Sequence, residues 1–389
     1  MNGCGYVCFR CIDSCEVITL NFRRSVTIIT AILCLITLIL DTRTGITGAS
    51  LGIDICIKTL IPSLFPFLIL STLLNSYLLG DHSIRLLRPL GRLCRIPVGS
   101  ESLLLMGFLG GYPSGAQNVE HGRREQLISV SDARRMVVIC NNAGPAFIFG
   151  FLGQLFEDPR YPWILWIVHI FSALLTGYLL PGGTKDGLVA LNSRSIPLSV
   201  SLNRSIRTMA SICGWVIIFR IIQEFLSRWI LWAIPFPVRI LLCGFLELTN
   251  GCLELQNLSS DGAKLLLSAF LLGFGGICVF LQTQSIAGSL SLQYYLPGKF
   301  LHGCISFLFA YGVQVLFLPD QAFHISPFIP LAVLLPILLY GSISRKIEKS
   351  IAISPDLLYN RKSCEKRRTI CFFVKRSQNP APTAFSAPN

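Results

Sequence analysis

Uncharged apolar runs, such as Tyr161–Leu180 and Leu265–Ile286, recur along the chain and are separated by short loops. In a bilayer each such run is a helix whose backbone groups pair within the segment. Charge is correspondingly scarce. Only 14% of the 389 residues are charged, where a soluble domain carries roughly 25%. The net charge of +13 sits in loops and in the C-terminal stretch. That pattern fits orientation by positive cytosolic loops, not nucleic-acid binding. The fold class expected is an all-α polytopic membrane protein forming one compact unit in the lipid bilayer.

Residues 1–24 make a cysteine-rich cytosolic start, with Cys4, Cys8, Cys11 and Cys15 ahead of Arg23 and Arg24. No nearby His completes a zinc module, so reduced thiols are expected, with metal or lipid attachment as the alternative. Residues 25–40 read as an uncleaved anchor helix; a signal peptide is the alternative, but no small-x-small cleavage pattern follows at once. The second span runs from about Ile55 to Leu79, kinked at Pro62 and Pro66. Arg85, Arg88, Arg92 and Arg95 share a helical face and place residues 80–101 inside, flat on an anionic leaflet or as a solvated loop. Arg123, Arg124, Arg134 and Arg135 place residues 119–135 inside as well. A third span over about Met136–Phe156 leads to an acidic outside turn at Glu157 and Asp158, and Tyr161–Leu180 returns. His169 within that span reads as a helix–helix hydrogen bond or a proton relay. Residues 181–207 form a basic cytosolic linker.

The stretch Gly107–Val119 (GFLGGYPSGAQNV) interrupts this order. Gly107, Gly110, Gly111, Pro113 and Gly115 argue against a regular helix passing through it. Both flanks are inside, so the stretch enters and returns as a re-entrant hairpin; a tight cytosolic turn is the alternative. A second break follows at Asn141-Asn142-Ala143-Gly144-Pro145. Interrupted, polar-tipped segments at membrane depth point to binding sites.

The pattern then returns. Leu104-Leu-Met-Gly-Phe-Leu109 is echoed by Leu241-Leu-Cys-Gly-Phe-Leu246, and Gly144-Pro-Ala-Phe-Ile-Phe149 by Gly275-Gly-Ile-Cys-Val-Phe280. Ile57-Lys-Thr-Leu60 is matched by Ile206-Arg-Thr-Met209. Three echoes in one order indicate a duplication, with residues 55–180 and 208–318 as the copies. The second copy holds span five from Thr208, a hairpin over Arg239–Cys252, span six (Leu265–Ile286) and span seven (Phe300–Leu318). Residues 325–344 form a final transmembrane helix and 345–389 a basic cytosolic tail. Glu254 and Asp261 place the second hairpin's flank outside, so the copies are inverted. The sum is about eight transmembrane helices plus two re-entrant hairpins in an inverted repeat. Arg220 and Glu224 along span five are set to pair at i,i+4, and Arg228 to snorkel outward.

Two hairpin tips and two interrupted helices would converge on one pocket. Its expected lining is Tyr112, Ser114, Gly115, Gln117 and Asn118 from the first hairpin, and Asn141 and Asn142 from the first break. Glu247, Thr249 and Asn250 come from the second hairpin, and Gln282 and Gln284 from span six. Glu247 reads as a carboxylate for cation or proton coupling, or as a wet carboxylate at the outer interface. Free N–H groups behind the breaks suit an anion. There is no phosphate loop, no Ser/His/Asp order and no His pair at ligand spacing. An enzyme, a cofactor and a metal site are therefore not expected.

Four motifs together, Gly107–Gly115 (GFLGGYPSG), Asn141–Pro145 (NNAGP), Gly244–Gly251 (GFLELTNG) and Gly273–Gln282 (GFGGICVFLQ), carry a resemblance. Over roughly residues 50–345 the chain resembles the sporulation integral membrane proteins of the YlbJ type, in the wider group with the nucleoside-recognition gate domain. The resemblance implies a role in building the spore and its cortex, in the mother-cell or forespore membranes. It also implies transport of a small solute, with dipicolinic acid as cargo. A non-transporting scaffold for spore assembly and a nucleoside carrier are the alternatives. A second copy of the chain or other sporulation membrane proteins are the partners left open. Members of the group carry a histidine where this chain has Phe280.

Overall fold

A computed structural model describes residues 24–78, 85–182, 196–319, 323 and 325–353. The cysteine-rich start up to residue 23, residues 183–195 of the linker and most of the basic tail lie outside the described residues. What is described is helical throughout. Helix α1 (Arg24–Leu40) is apolar and exposed along its length. Helix α2 (Thr42–Ile55) runs through a π-helical turn (Cys56–Leu60) into α3 (Ile61–Leu78). The long span thus begins at Thr42, not at Ile55. The π turn precedes Pro62, where the ring would clash with the carbonyl four residues back; the Ile61 N–H bonds to Cys56 O instead.

The remaining elements fall into two series of the same order. The first is α3, a short α4 (Arg88–Leu93), the hairpin arms α5 (Glu101–Gly110) and α6 (Ser114–Arg124), the interrupted pair α7 (Val130–Cys140) and α8 (Pro145–Gly150), and α9 (Arg160–Leu179). The second is α10 (Leu198–Trp229), the arms α11 (Phe236–Leu246) and α12 (Leu248–Glu254), the pair α13 (Asp261–Phe274) and α14 (Gly276–Ala287), and α15 (Tyr295–Phe317). A last helix, α16 (Phe328–Ile353), packs on α15. Arm packs on arm and the second half-helix on the long first helix in both series: α5 on α6 and α8 on α3, α11 on α12 and α14 on α10.

Among the described residues, five helical stretches are long and apolar enough to cross a membrane: Thr42–Leu78, Arg160–Leu179, Leu198–Trp229, Asp261–Ala287 and Tyr295–Phe317. Arg24–Leu40 and Phe328–Gly341 are shorter apolar helices, and the expected third span, 136–156, is divided between α7 and α8. The chain is an integral, multi-pass membrane protein whose helices imply a lipid bilayer around them.

The glycine-rich stretch departs from expectation. Helix α5 passes through Gly107 and ends at Gly110, and only Gly111–Pro113 is non-helical. The physical reason is packing. A methyl group at Gly107 would sit on the Cys140 backbone, 2.7 Å from its Cα, so this glycine serves close approach and not chain reversal. The second hairpin is broken at one residue, Glu247, in extended conformation (φ −146°, ψ 123°).

Helix α9 orders the two ends of the bundle. Its twenty residues span about 30 Å. At its C-terminal end the Arg135 guanidinium donates to the carbonyls of Arg95 (2.9 Å), Cys94 (3.1 Å) and Gly177 (3.1 Å). Just before its N-terminal end, the N–H groups of Glu157 and Asp158 donate to Asp261 Oδ2 at 2.9 and 3.2 Å. Lys264 pairs with Asp261 (2.9 Å) and donates to Leu155 O (2.8 Å). The Arg160 side chain hydrogen-bonded to Asp158 holds that carboxyl below the usual range, so this end stays acidic. Arg220 and Glu224 lie 3.4 Å apart, and Arg228 pairs with Asp41 at 3.2 Å.

Helix α2 packs along α10 through Gly48 and Gly52. A Cβ at Gly52 would lie 2.9 Å from Ile217 Cα, whereas one at Gly214 would meet nothing within 4 Å. Gly52→Val is expected to destabilise the protein by about 1–3 kcal/mol through overpacking. Gly214→Val is expected to be near neutral. Thermal unfolding of the two variants in detergent checks the difference.

Candidate functional site

The four interruptions come together. Gly111 at the first tip lies against Gly144 at the first break, and Gly276 at the second break lies against Gly244 O and Leu248 N beside the second tip. Gly275 and Gly276 both take positive φ (83° and 88°), a conformation that leaves α13 and α14 as separate helices. Between these segments is a narrow cavity of about 40 Å³. Both tips line it (Gly111, Tyr112, Glu247, Thr249), as do both second half-helices (Phe147, Gln282) and both long first helices (Leu64, Val216). Its walls are mostly apolar with a few polar groups, the composition of a small-molecule site.

Glu247 is 2% exposed. Its carboxylate accepts the N–H groups of Thr249 (3.0 Å) and Asn250 (2.8 Å), so it caps α12 while facing the cavity. Asn250 is buried behind it, and neither its Oδ1 nor its Nδ2 has a hydrogen-bond partner among the described residues. Gln282 lines the cavity and donates to Cys278 Sγ at 3.3 Å. Tyr112 reaches across to α13, where its hydroxyl donates to Leu272 O.

Asn141 and Asn142 are fully buried behind the cavity wall. The Asn141 amide donates to Thr283 Oγ1 and to Tyr295 Oη, both at 2.8 Å, and accepts from Ala116 N at 3.4 Å. One side chain thus ties the first break to α6, α14 and α15. The break's backbone is satisfied from two further helices. Ala143 N–H donates to His169 Nε2 on α9 at 3.2 Å, and Lys299 Nζ on α15 donates to Asn141 O at 2.9 Å. His169 therefore makes the helix–helix hydrogen bond.

The other expected residues lie elsewhere. Ser114 caps its own turn, donating to Gly111 O at 2.9 Å. Gly115 is pressed against the Cys140 and Asn141 backbone. Gln117 donates to Thr208 Oγ1 at 2.7 Å, linking the first hairpin to α10. Asn118 is buried outside the cavity lining. Gln284 is exposed and does not face the cavity; Gln282 and Thr283 occupy the inward face of α14, so a position one residue on points away. Lys299, His302 and Tyr295 were not anticipated. Placing the seventh span at Phe300 left Lys299 in a loop, and the available signal was a lysine followed one turn later by a histidine in an apolar run.

With this geometry in view, comparison with known proteins is specific. The sporulation integral membrane protein YlbJ of Bacillus subtilis (strain 168) is 25% identical over 319 residues, covering 70% of this chain and 78% of that protein. The chain is a distant homologue of YlbJ. The likeness to YlbJ supports the family reading of the four motifs and the sporulation context. No family model matches the chain, and no solved structure matches it.

Removal of the Asn141 side chain tests how far the first break depends on it. Asn141→Ala is expected to cost about 1–3 kcal/mol for each buried group left unpaired. Gln284→Ala is expected to cost nothing measurable. Melting temperatures of the purified variants check both.

Proposed function

We propose that the protein is a secondary carrier or facilitator of a small polar or anionic solute in a membrane of the sporulating cell, serving spore formation. The observation that carries this reading is a cavity lined from both copies by tips, half-helices and long helices. A scaffold has no need of such a cavity, whereas inverted-repeat carriers bind solute where interrupted helices meet. The two copies lie in opposite orientation in this reading. Its support is α9: the α7 half-helix starts beside the C-terminal end of α9, and the α13 half-helix beside its N-terminal end. Dipicolinate is the cargo that the resemblance to the YlbJ type favours. Glu247 serves as the coupling carboxylate, drawing a proton or cation into the cavity with the solute.

Liposomes holding the purified protein test this reading with dipicolinate and with a nucleoside as cargoes. Saturable dipicolinate uptake is expected, and Glu247→Gln is expected to abolish it while the variant still inserts. Absence of flux for either cargo, with tolerance of Glu247→Gln in sporulating cells, would favour the scaffold.

A further inference from the structure

Lys299 is fully buried, and its three ammonium hydrogens have three acceptors. These are Asn141 O at 2.9 Å, Asn142 Oδ1 at 3.1 Å and His302 Nδ1 at 3.3 Å. All three are neutral. His302 Nε2 lies 3.1 Å from His169 O, which places its hydrogen there and leaves Nδ1 as an acceptor. His169 accepts from Ala143 N–H through Nε2 and stacks on His302 at 4.7 Å between ring centroids, so it brings no charge either. No carboxylate lies within ion-pair distance of Lys299 among the described residues. Glu247, the carboxylate of the cavity, is engaged by backbone N–H groups of its own tip.

The cluster therefore holds a lysine nitrogen with full hydrogen bonding and no counter-charge. Buried charges in proteins are otherwise paired, because hydrogen bonds alone do not replace the lost hydration of an ion. On the cavity side Lys299 meets, among the described residues, the face of Tyr112, whose ring centroid is 5.3 Å from Nζ. Tyr112 is also a cavity-lining residue at the first tip. Its ring thus separates a lysine without a counter-charge from the space in which a solute would sit.

We propose that Lys299 is the anion-recognition residue of this site, and that the missing counter-charge is a carboxylate of the bound solute, which reaches Nζ when Tyr112 swings aside. The lysine nitrogen keeps its three hydrogen bonds and exchanges the ring face for the charge of the anion. Tyr112 then discriminates against uncharged solutes, since only an anion gains enough from Lys299 to displace it. This rests on the carrier reading for its cavity but not for its test, which is binding and not flux.

The experiment is calorimetry on detergent-purified full chain with dipicolinate and with its uncharged analogue, pyridine-2,6-dicarboxamide. Wild type is expected to bind the dicarboxylate and not the diamide. Lys299→Met is expected to weaken dicarboxylate binding by at least about 30-fold, the usual loss for one partner of a buried charge pair. Asn142→Asp places a carboxylate beside Lys299 within the protein. It is expected to weaken binding as much as Lys299→Met while melting no lower than Asn142→Ala, which loses the same amide hydrogen bond to Ile139 O, and this separates charge compensation from misfolding. Equal affinity of wild type and Asn142→Asp, or no dicarboxylate binding by wild type, would overturn the proposal. Uridine flux without dicarboxylate binding would overturn it and leave the carrier reading standing. Lys299-dependent binding without flux would do the reverse.

Discussion

The interior is governed by one requirement: backbone groups freed where a helix stops must find partners inside the protein, since lipid offers none. The first break shows how this is met. Ala143 N–H goes to a histidine on α9, and Asn141 O to a lysine on α15. The partners come from two long helices, α9 and α15. At the second tip the same need is met locally, by a carboxylate folded back onto two N–H groups. Each solution brings a strongly polar side chain to the middle of the molecule. The polar equipment of the site is in this sense a consequence of interrupting helices at all.

Close packing at the interruptions follows from the same need. The hydrogen bonds of the Asn141 side chain reach α6, α14 and α15 together, which demands that these elements approach closely. Small residues make that possible, with the α5 and α6 arms resting on the Cys140 backbone through Gly107 and Gly115. Tips meet breaks across glycine contacts in both series of helices.

Much of this architecture was legible in the sequence because its causes are local. Apolar runs, basic loops and the Gly-Pro and Asn-Asn interruptions all leave marks within a few residues. The Arg95–Arg135 contact at one end, and the Glu157–Asp261 contact at the other, join loops that charge alone had placed on common sides. What was not legible depends on distant contacts. Gly107 looked like a helix breaker, yet the chain stays helical there because the residue it approaches, Cys140, is thirty-three positions away. Gln284 looked equivalent to Gln282, but helix phase separates them. Lys299 was invisible as a site residue because its meaning lies in three acceptors, two of which are over 150 residues earlier in the chain.

The arrangement of two opposed copies around one cavity is the claim on which everything functional depends. It is tested most directly by labelling single cysteines placed at Arg124, at the end of α6, and at Asn257, just before α13, with a membrane-impermeant thiol reagent in oriented vesicles. Opposed copies require that one position reacts from the cytosolic face only and the other from the opposite face only. Reaction of both from the same face would contradict the inverted arrangement and, with it, the shared cavity as a carrier site.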